Sequence, residues 1–227
     1  MWQKIIGFHN AAAGRQLSVL QDVYKSESDT NQRNQAIGAL MLAYGYIKSN
    51  WQQAVDLYTR QCSIGVNAND LAMMAATLAA GGRNPVTGKQ VIDAAKVPSV
   101  LAVMSTAGLH DDSGKWLYHT GLPAKSGVGG GIIAVSPGKF GIAVVSPPLD
   151  DAGNSVRAQR AIADISAALG GNPSRRSTAA AARAAQVELR SLRLRDARHG
   201  PRLQADRPQL VRHLAGNQAA KGCERVR

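Results

Sequence analysis

The stretch of the 227-residue chain best equipped for chemistry is Gly121-Leu122-Pro123-Ala124-Lys125-Ser126-Gly127-Val128-Gly129-Gly130-Gly131. Lys125-Ser126-Gly127 sets a cation, a hydroxyl and a flexible hinge in a row. Such a trio can hold a carboxylate at the edge of a sheet. Five glycines and a proline in eleven residues exclude an ordinary strand interior. Glycine in such a run marks close backbone approach or positive φ. The plain alternative is a glycine-rich hairpin. His110, Asp111 and Ser113 supply an imidazole, a carboxylate and a hydroxyl, the types of a hydrolytic triad. Crowded into four residues of one loop, they do not point at one another in series. The sequence carries no metal-ligand spacing. Gly127 to Gly131 does not open a helix, which excludes a dinucleotide fingerprint.

The surrounding pattern predicts what holds this stretch. Short β-branched and aromatic runs at Lys115–His119, Gly131–Val135 and Phe140–Val145 read as strands. Ser136-Pro137-Gly138-Lys139 reads as the hairpin turn between the last two. His119, within a strand, reads as structural. Upstream the spacing is helical. Leu17, Val19-Leu20 and Val23-Tyr24 give a short face, and polar Lys25–Thr30 reads as a loop. Asp29 or Thr30 is the expected cap of a helix through Ala36, Ala39-Leu40 and Ala43. Glu27 then precedes that helix, and Asn34 lies about one turn inside it.

Asn50 is the expected cap of a helix carrying Trp51, Val55, Tyr58 and Cys62. Asn67 opens a third, which Gly81-Gly82 ends. Val97–Met104 suggests another, with Pro98 in its first turn. A last helix over about Ser155–Leu169 shows a core-facing stripe of Ala158, Ala161-Ile162, Ile165 and Leu169. Helices, a meander, then a helix mean an α+β fold.

A net charge of +12 suggests a nucleic-acid or membrane partner until it is divided. Residues 1–170 hold 14 Lys+Arg against 11 Asp+Glu, so the domain is nearly neutral. Residues 171–227 hold 13 against 4, and 12 of those 13 are Arg. This tail has no Ile, Met, Phe, Trp or Tyr, and such a composition builds little core. Disorder, a marginal helix or a reading-frame change near Asn172-Pro173 is the expectation. A basic nucleic-acid arm is the competing reading. No apolar run reaches the ~18 residues of a membrane span. Two cysteines, Cys62 and Cys223, make no disulfide framework and suit a reducing cytoplasm. Cys62, in a helical pattern, reads as a small buried hydrophobe.

The motifs also carry a resemblance. Lys125-Ser126-Gly127 resembles the Lys-Thr-Gly box of serine β-lactamases and penicillin-binding proteins. The whole run from Gly121 to Gly131 is similar to the hallmark of the serine-dependent glutaminases, which share that fold. Further stretches resemble the same family in family order. They are Lys25-Ser26-Glu27-Ser28 with Asn31-Gln32-Arg33-Asn34, Tyr58 to Ser63, Met74 to Ala79 with Gly81-Gly82, and Ser146 to Asp150 with Gly153-Asn154-Ser155. Together they cover roughly residues 1–170.

The resemblance implies a β-lactamase-like α+β domain, helices around an antiparallel sheet, over 1–170. It implies hydrolysis of L-glutamine to L-glutamate and ammonia through a serine acyl-enzyme, without metal or organic cofactor. A homodimer or homotetramer is implied, with no nucleic-acid or membrane partner. Glu27 matches the substrate-binding glutamate, suited to an α-ammonium. Asn34 matches an asparagine for the α-carboxylate. Tyr58 matches a pocket tyrosine near the nucleophile, and Val128 matches the residue whose N–H serves the oxyanion hole. Lys125, Ser126 and Gly127 support the site. His110 departs from the family, which usually has tyrosine there.

The family nucleophile is the serine of a Ser-x-x-Lys pair at a helix start. The single such spacing here is Ser136 to Lys139, whose Pro137-Gly138 centre reads as a turn. The pair is therefore expected upstream of residue 1, together with further strands of the sheet. The hairpin around Ser136 is then expected to show an unpaired edge. An inactive remnant or an amino-acid-binding module stays open as the alternative function.

Overall fold

The computed structural model describes residues 1–173. Among them eight helices surround one small sheet. The helices before the sheet are α1 Trp2–Ala13, α2 Gln21–Thr30, α3 Gln32–Ala43, α4 Trp51–Cys62, α5 Ala68–Ala79, α6 Val97–Ala107 and α7 Ser113–Thr120. Then come β1 Ala124–Ser126, β2 Gly131–Ser136, β3 Phe140–Val145 and α8 Val156–Leu169. The three strands run antiparallel in the order β1-β2-β3. This is the α+β arrangement that the sequence predicts. Among the described residues β3 pairs only with β2, so its outer edge has no partner strand.

The helix ends follow local chemistry. The Asn50 side chain accepts from the N–H of Gln53 at 2.9 Å. Asn67 and Asp70 form a reciprocal box at the start of α5, with bonds of 2.8 and 3.0 Å. Ser155 caps α8 through the N–H of Ala158 at 3.3 Å. Pro98 sits in the first turn of α6.

β2 is buried on both faces, so its alternation feeds two cores. Ile132 and Ala134 join Leu109, Trp116, Leu122, Ala158 and Ile162 on the α7–α8 side. Val135 joins Ala75, Leu78, Ala79, Val97 and Met104 on the α5–α6 side. Ile132, Ile162, Leu109 and Leu122 are fully buried, each contributing about 1.5–3 kcal/mol by leaving water. α5 lies directly on β3. A Cβ at Gly141 would stand 2.2 Å from the Ala76 nitrogen, so only glycine admits that approach.

Four expectations need correction. Lys115–His119 is not a strand but the body of α7. Ser113, Trp116 and Thr120 are its buried residues, at helical spacing. Gly121, left-handed at φ 67°, ends it. The aromatic run imitates a strand because Tyr118 and His119 face outward. His119 is thus exposed on a helix, not set in a sheet.

Lys25–Thr30 is not a loop but most of α2. That helix buries none of its residues, so it shows no apolar stripe to read. Glu27 therefore lies inside a helix, and Asn31 rather than Asp29 or Thr30 stands between α2 and α3. Cys62 is exposed, not buried. On α8 the buried row is Ala158, Ile162 and Ser166, while Ile165 and Leu169 stay 37% and 57% exposed.

Packing continues past residue 170. The Gly171 N–H donates to the Ser166 carbonyl at 2.7 Å, and the Asn172 side chain lies against Gly121. The expectations for the Arg-rich tail beyond Pro173 fall outside the described residues.

Candidate functional site

A cleft of about 470 Å³ opens where four segments converge. Leu20 and Val23 at the start of α2 form one wall. Cys62 and the Ile64-Gly65-Val66 turn after α4 form the next. Lys125, Ser126, Gly127 and Gly129 form the third, with Leu71 of α5 at the base. A second groove of about 370 Å³ runs between α3 and α4. Asn34, Ile37, Met41 and Tyr58 line it.

Tyr58 and Cys62 are four residues apart on α4, so they share a helical face. Their chemistry is coupled. The charge of the Cys62 thiolate, then hydrogen bonding with the same sulfur, holds the Tyr58 phenol above its ordinary pKa. Burial and the Glu27 carboxylate act in the same direction. Burial pushes the Cys62 thiol up, Tyr58 opposes this, and Glu27 adds to it. Burial lowers the Lys125 ammonium, and the charge of Cys62 resists. Cys62 and Lys125 both keep open surface, yet enough protein crowds each to make burial the leading influence. Glu27, Tyr58, Cys62 and Lys125 thus form one electrostatic group at the cleft.

The third wall depends on backbone. Lys125 alternates with buried Ala124 and Ser126 along β1 and points outward. Its ammonium donates to the Ser126 carbonyl. The N–H of Ser126 donates to the Gly108 carbonyl at 3.1 Å. In the glycine loop, the N–H groups of Gly127 and Gly130 close the turn, at 2.8 and 2.9 Å. The N–H of Val128 makes no such bond among the described residues, and its side chain is 71% exposed.

The sequence-read residues fall into three groups. Lys125, Ser126 and Gly127 line the main cleft, while Glu27 and Tyr58 do not line it but act on Cys62 in its wall. Asn34 and Tyr58 line the other groove. His110 and Val128 line neither. Val128 tops the glycine loop. His110 is exposed in a short turn, His110–Asp112, two residues beyond the Gly108 that holds Ser126. Ser136 is remote. Its hydroxyl is buried and donates to the Gly171 carbonyl at 3.3 Å.

A glutaminase family model matches residues 1–172. The chain belongs to the glutaminase family. A glutaminase from Colwellia psychrerythraea is 53% identical over 171 residues, covering 75% of this chain and 55% of that protein. The solved structure of a probable glutaminase, YbaS, is 50% identical with a TM-score of 0.73, over 74% of this chain and 55% of that one. Another is the covalent complex of the Bacillus subtilis glutaminase YbgJ with 5-oxo-L-norleucine, formed by reaction with 6-diazo-5-oxo-L-norleucine. It is 26% identical with a TM-score of 0.70, over 74% of this chain and 60% of that one. The chain spans about half the length of the curated relatives it matches.

Family membership carries the β-lactamase-like fold with it, and the match ends at Asn172, where packing on the domain is still visible. Sequence reading overlooked Cys62 as a member of this cleft. The signal was present in its four-residue spacing from Tyr58. It also overlooked Leu20 and Val23 as cleft walls, because Lys25–Thr30 reads as a loop.

Proposed function

We propose that this chain contributes the substrate-binding side of a glutaminase site. The reaction is hydrolysis of L-glutamine to L-glutamate and ammonia through a serine acyl-enzyme. The observation that carries the reading is that Cys62, on the cleft wall with Lys125, interacts with both Tyr58 and Glu27 in a chain of this family. In this reading Glu27 receives the α-ammonium by a charge-assisted hydrogen bond. Asn34 offers its amide to the α-carboxylate. Tyr58 stands beside the reacting amide. The N–H of Val128 donates to the oxyanion, which strengthens as the carbonyl becomes tetrahedral. Lys125, Ser126 and Gly127 hold the loop. His110 offers an imidazole where relatives usually have a phenol.

The same reading takes the assembly as a homodimer or homotetramer in a reducing cytoplasm. Among the described residues the Cys62 thiol is in no disulfide, which supports that compartment. Among the described residues no helix is long and apolar enough to cross a membrane. The break in composition after Asn172 supports a change of reading frame there. Sequencing the DNA on both sides of that codon tests it.

A second reading is an amino-acid-binding module without turnover. It rests on the one Ser-x-x-Lys spacing being a hairpin turn with its serine buried.

Titration of the chain with L-glutamine and L-glutamate, with ammonia release measured alongside, tests both readings. Binding that weakens about 1.5–3 kcal/mol in Glu27→Gln, the scale of a bond to a charged group, supports the shared pocket. Unchanged affinity removes Glu27 from it. Ammonia release then separates turnover from binding.

A further inference from the structure

We propose that Asn154 is a positioning residue whose side-chain amide fixes the Leu109–His110 peptide and so sets where the His110 imidazole stands. This rests on reading His110 as part of the glutaminase site. It gives a role to Gly153-Asn154-Ser155, which the substrate contacts leave unexplained.

His110 has φ 52°, the one non-glycine residue with positive φ among those described. Such a conformation persists only where its surroundings over-determine it. The constraint falls on the preceding residue. The N–H of Leu109 donates to the Ser113 hydroxyl at 3.0 Å. The Leu109 carbonyl accepts from the Asp112 N–H at 3.1 Å and from the Asn154 amide at 3.2 Å. The Ser113 hydroxyl donates to the His110 carbonyl at 2.7 Å. Dihedral φ is the rotation that joins this peptide plane to the His110 Cα, so holding the plane holds φ. The bonds from Ser113 and Asp112 are local and move with the turn. The Asn154 bond comes from 45 residues away and ties the turn to the body of the domain.

Asn154 is itself immobilised. It is fully buried. Its N–H donates to the Asp150 carboxylate at 2.8 Å, and its carbonyl accepts from the Asp150 N–H at 2.8 Å. Gln159 holds the other Asp150 oxygen at 2.7 Å. The side-chain oxygen of Asn154 is buried and accepts no hydrogen bond among the described residues. A buried acceptor without a donor is costly. The neighbouring Ser155 hydroxyl donates to the Ser146 carbonyl. The Ser146 N–H in turn donates to Gly130 of the glycine loop at 2.9 Å. One short segment thereby braces both the His110 turn and the loop that presents Val128.

The test is NMR on the full chain. Positive φ gives His110 a strong intraresidue contact between its amide and Hα protons. That contact should weaken severalfold in Asn154→Ala, with the resonances of α5 unmoved. A contact of unchanged strength overturns the proposal. A second comparison covers the case in which Asn154→Ala does not fold, because glycine adopts positive φ without strain. Asn154→Ala should lower the folding equilibrium constant about tenfold more in the parent chain than in His110→Gly. Folding restored by His110→Gly supports the proposal in the same way. Equal losses in both backgrounds, complete unfolding of both included, overturn it. L-Glutamate titration separates the two readings. A parent chain that does not bind glutamate removes the substrate pocket but leaves the His110 result to decide the role of Asn154. Where glutamate binds, Asn154→Ala should weaken it at least threefold.

Discussion

The backbone N–H of Ser126 donates to the carbonyl of Gly108 at 3.1 Å, and the Ser126 hydroxyl approaches the same oxygen at 3.4 Å. This contact joins β1 to the turn that carries His110. It demands a missing side chain at residue 108. A Cβ there would stand 1.7 Å from the Ala124 carbonyl oxygen and 2.3 Å from that of Met104. Both are backbone atoms and cannot swing aside. Gly108→Ala should therefore destabilise by about 1–3 kcal/mol or more, as overpacking does. At this length that lowers Tm by about 2–4 °C for each kcal/mol. A thermal scan with an unchanged Tm would refute the close approach.

Cys62 and Tyr58 give a prediction specific to the cleft. The thiolate is the first cause of the raised phenol pKa. Cys62→Ala should bring Tyr58 down toward the ordinary tyrosine range. It should also let Lys125 fall further, because the charge of Cys62 is what resists the lowering by burial. Titration of labelled tyrosine and lysine side chains by NMR reads both. A Tyr58 midpoint that does not move would separate the two groups.

Asp70 predicts an acid-range dependence of stability. Its hydrogen bond from Arg15 is the first cause of a carboxyl pKa below the ordinary value, opposed by burial and aided by the Asn67 N–H. The folded pKa is lowered, so the folded state binds fewer protons than the unfolded chain in this range. The stabilisation is complete above the unfolded carboxylate value near about 4 and is lost as pH falls through the lowered folded value. Denaturant unfolding between about pH 5 and 2 should show a slope that Arg15→Ala reduces. An identical slope in the variant would mean that the pair does not shift Asp70.

How much of this was legible in the sequence varies by element. The caps at Asn50 and Asn67 were legible, because each is a single side chain acting on its own helix. The 136–139 hairpin was legible for the same reason. α2 was not, since a helix with no buried residue leaves no periodicity. α7 was not, because its outward Tyr118 and His119 supply strand-like residue types while Trp116 alone fills the core. The resemblance brought out Glu27, Tyr58 and Lys125 by motif. That Cys62 joins Tyr58 follows from their four-residue spacing on α4, whereas Asn154 reaching Leu109 depends on long-range packing that no local pattern encodes.

No turnover of glutamine is expected from the 227-residue chain. A serine amidohydrolase needs a hydroxyl with a base beside it. At the cleft, the serine on the wall is Ser126, whose hydroxyl faces the Gly108 carbonyl rather than a base. Ser136, the one serine spaced three residues before a lysine, is buried in the hairpin against Gly171. Losing the nucleophile unit of a serine hydrolase costs on the order of a million-fold in rate. Binding residues alone do not recover it. His110→Tyr restores the phenol usual in the family but adds no nucleophile, so it should rescue nothing here. The assay is ammonia release from glutamine by the purified chain, with and without His110→Tyr. Turnover abolished by Ser126→Ala or Ser136→Ala would show that a nucleophile is present in this chain, and the cleft would then have to be redrawn around it.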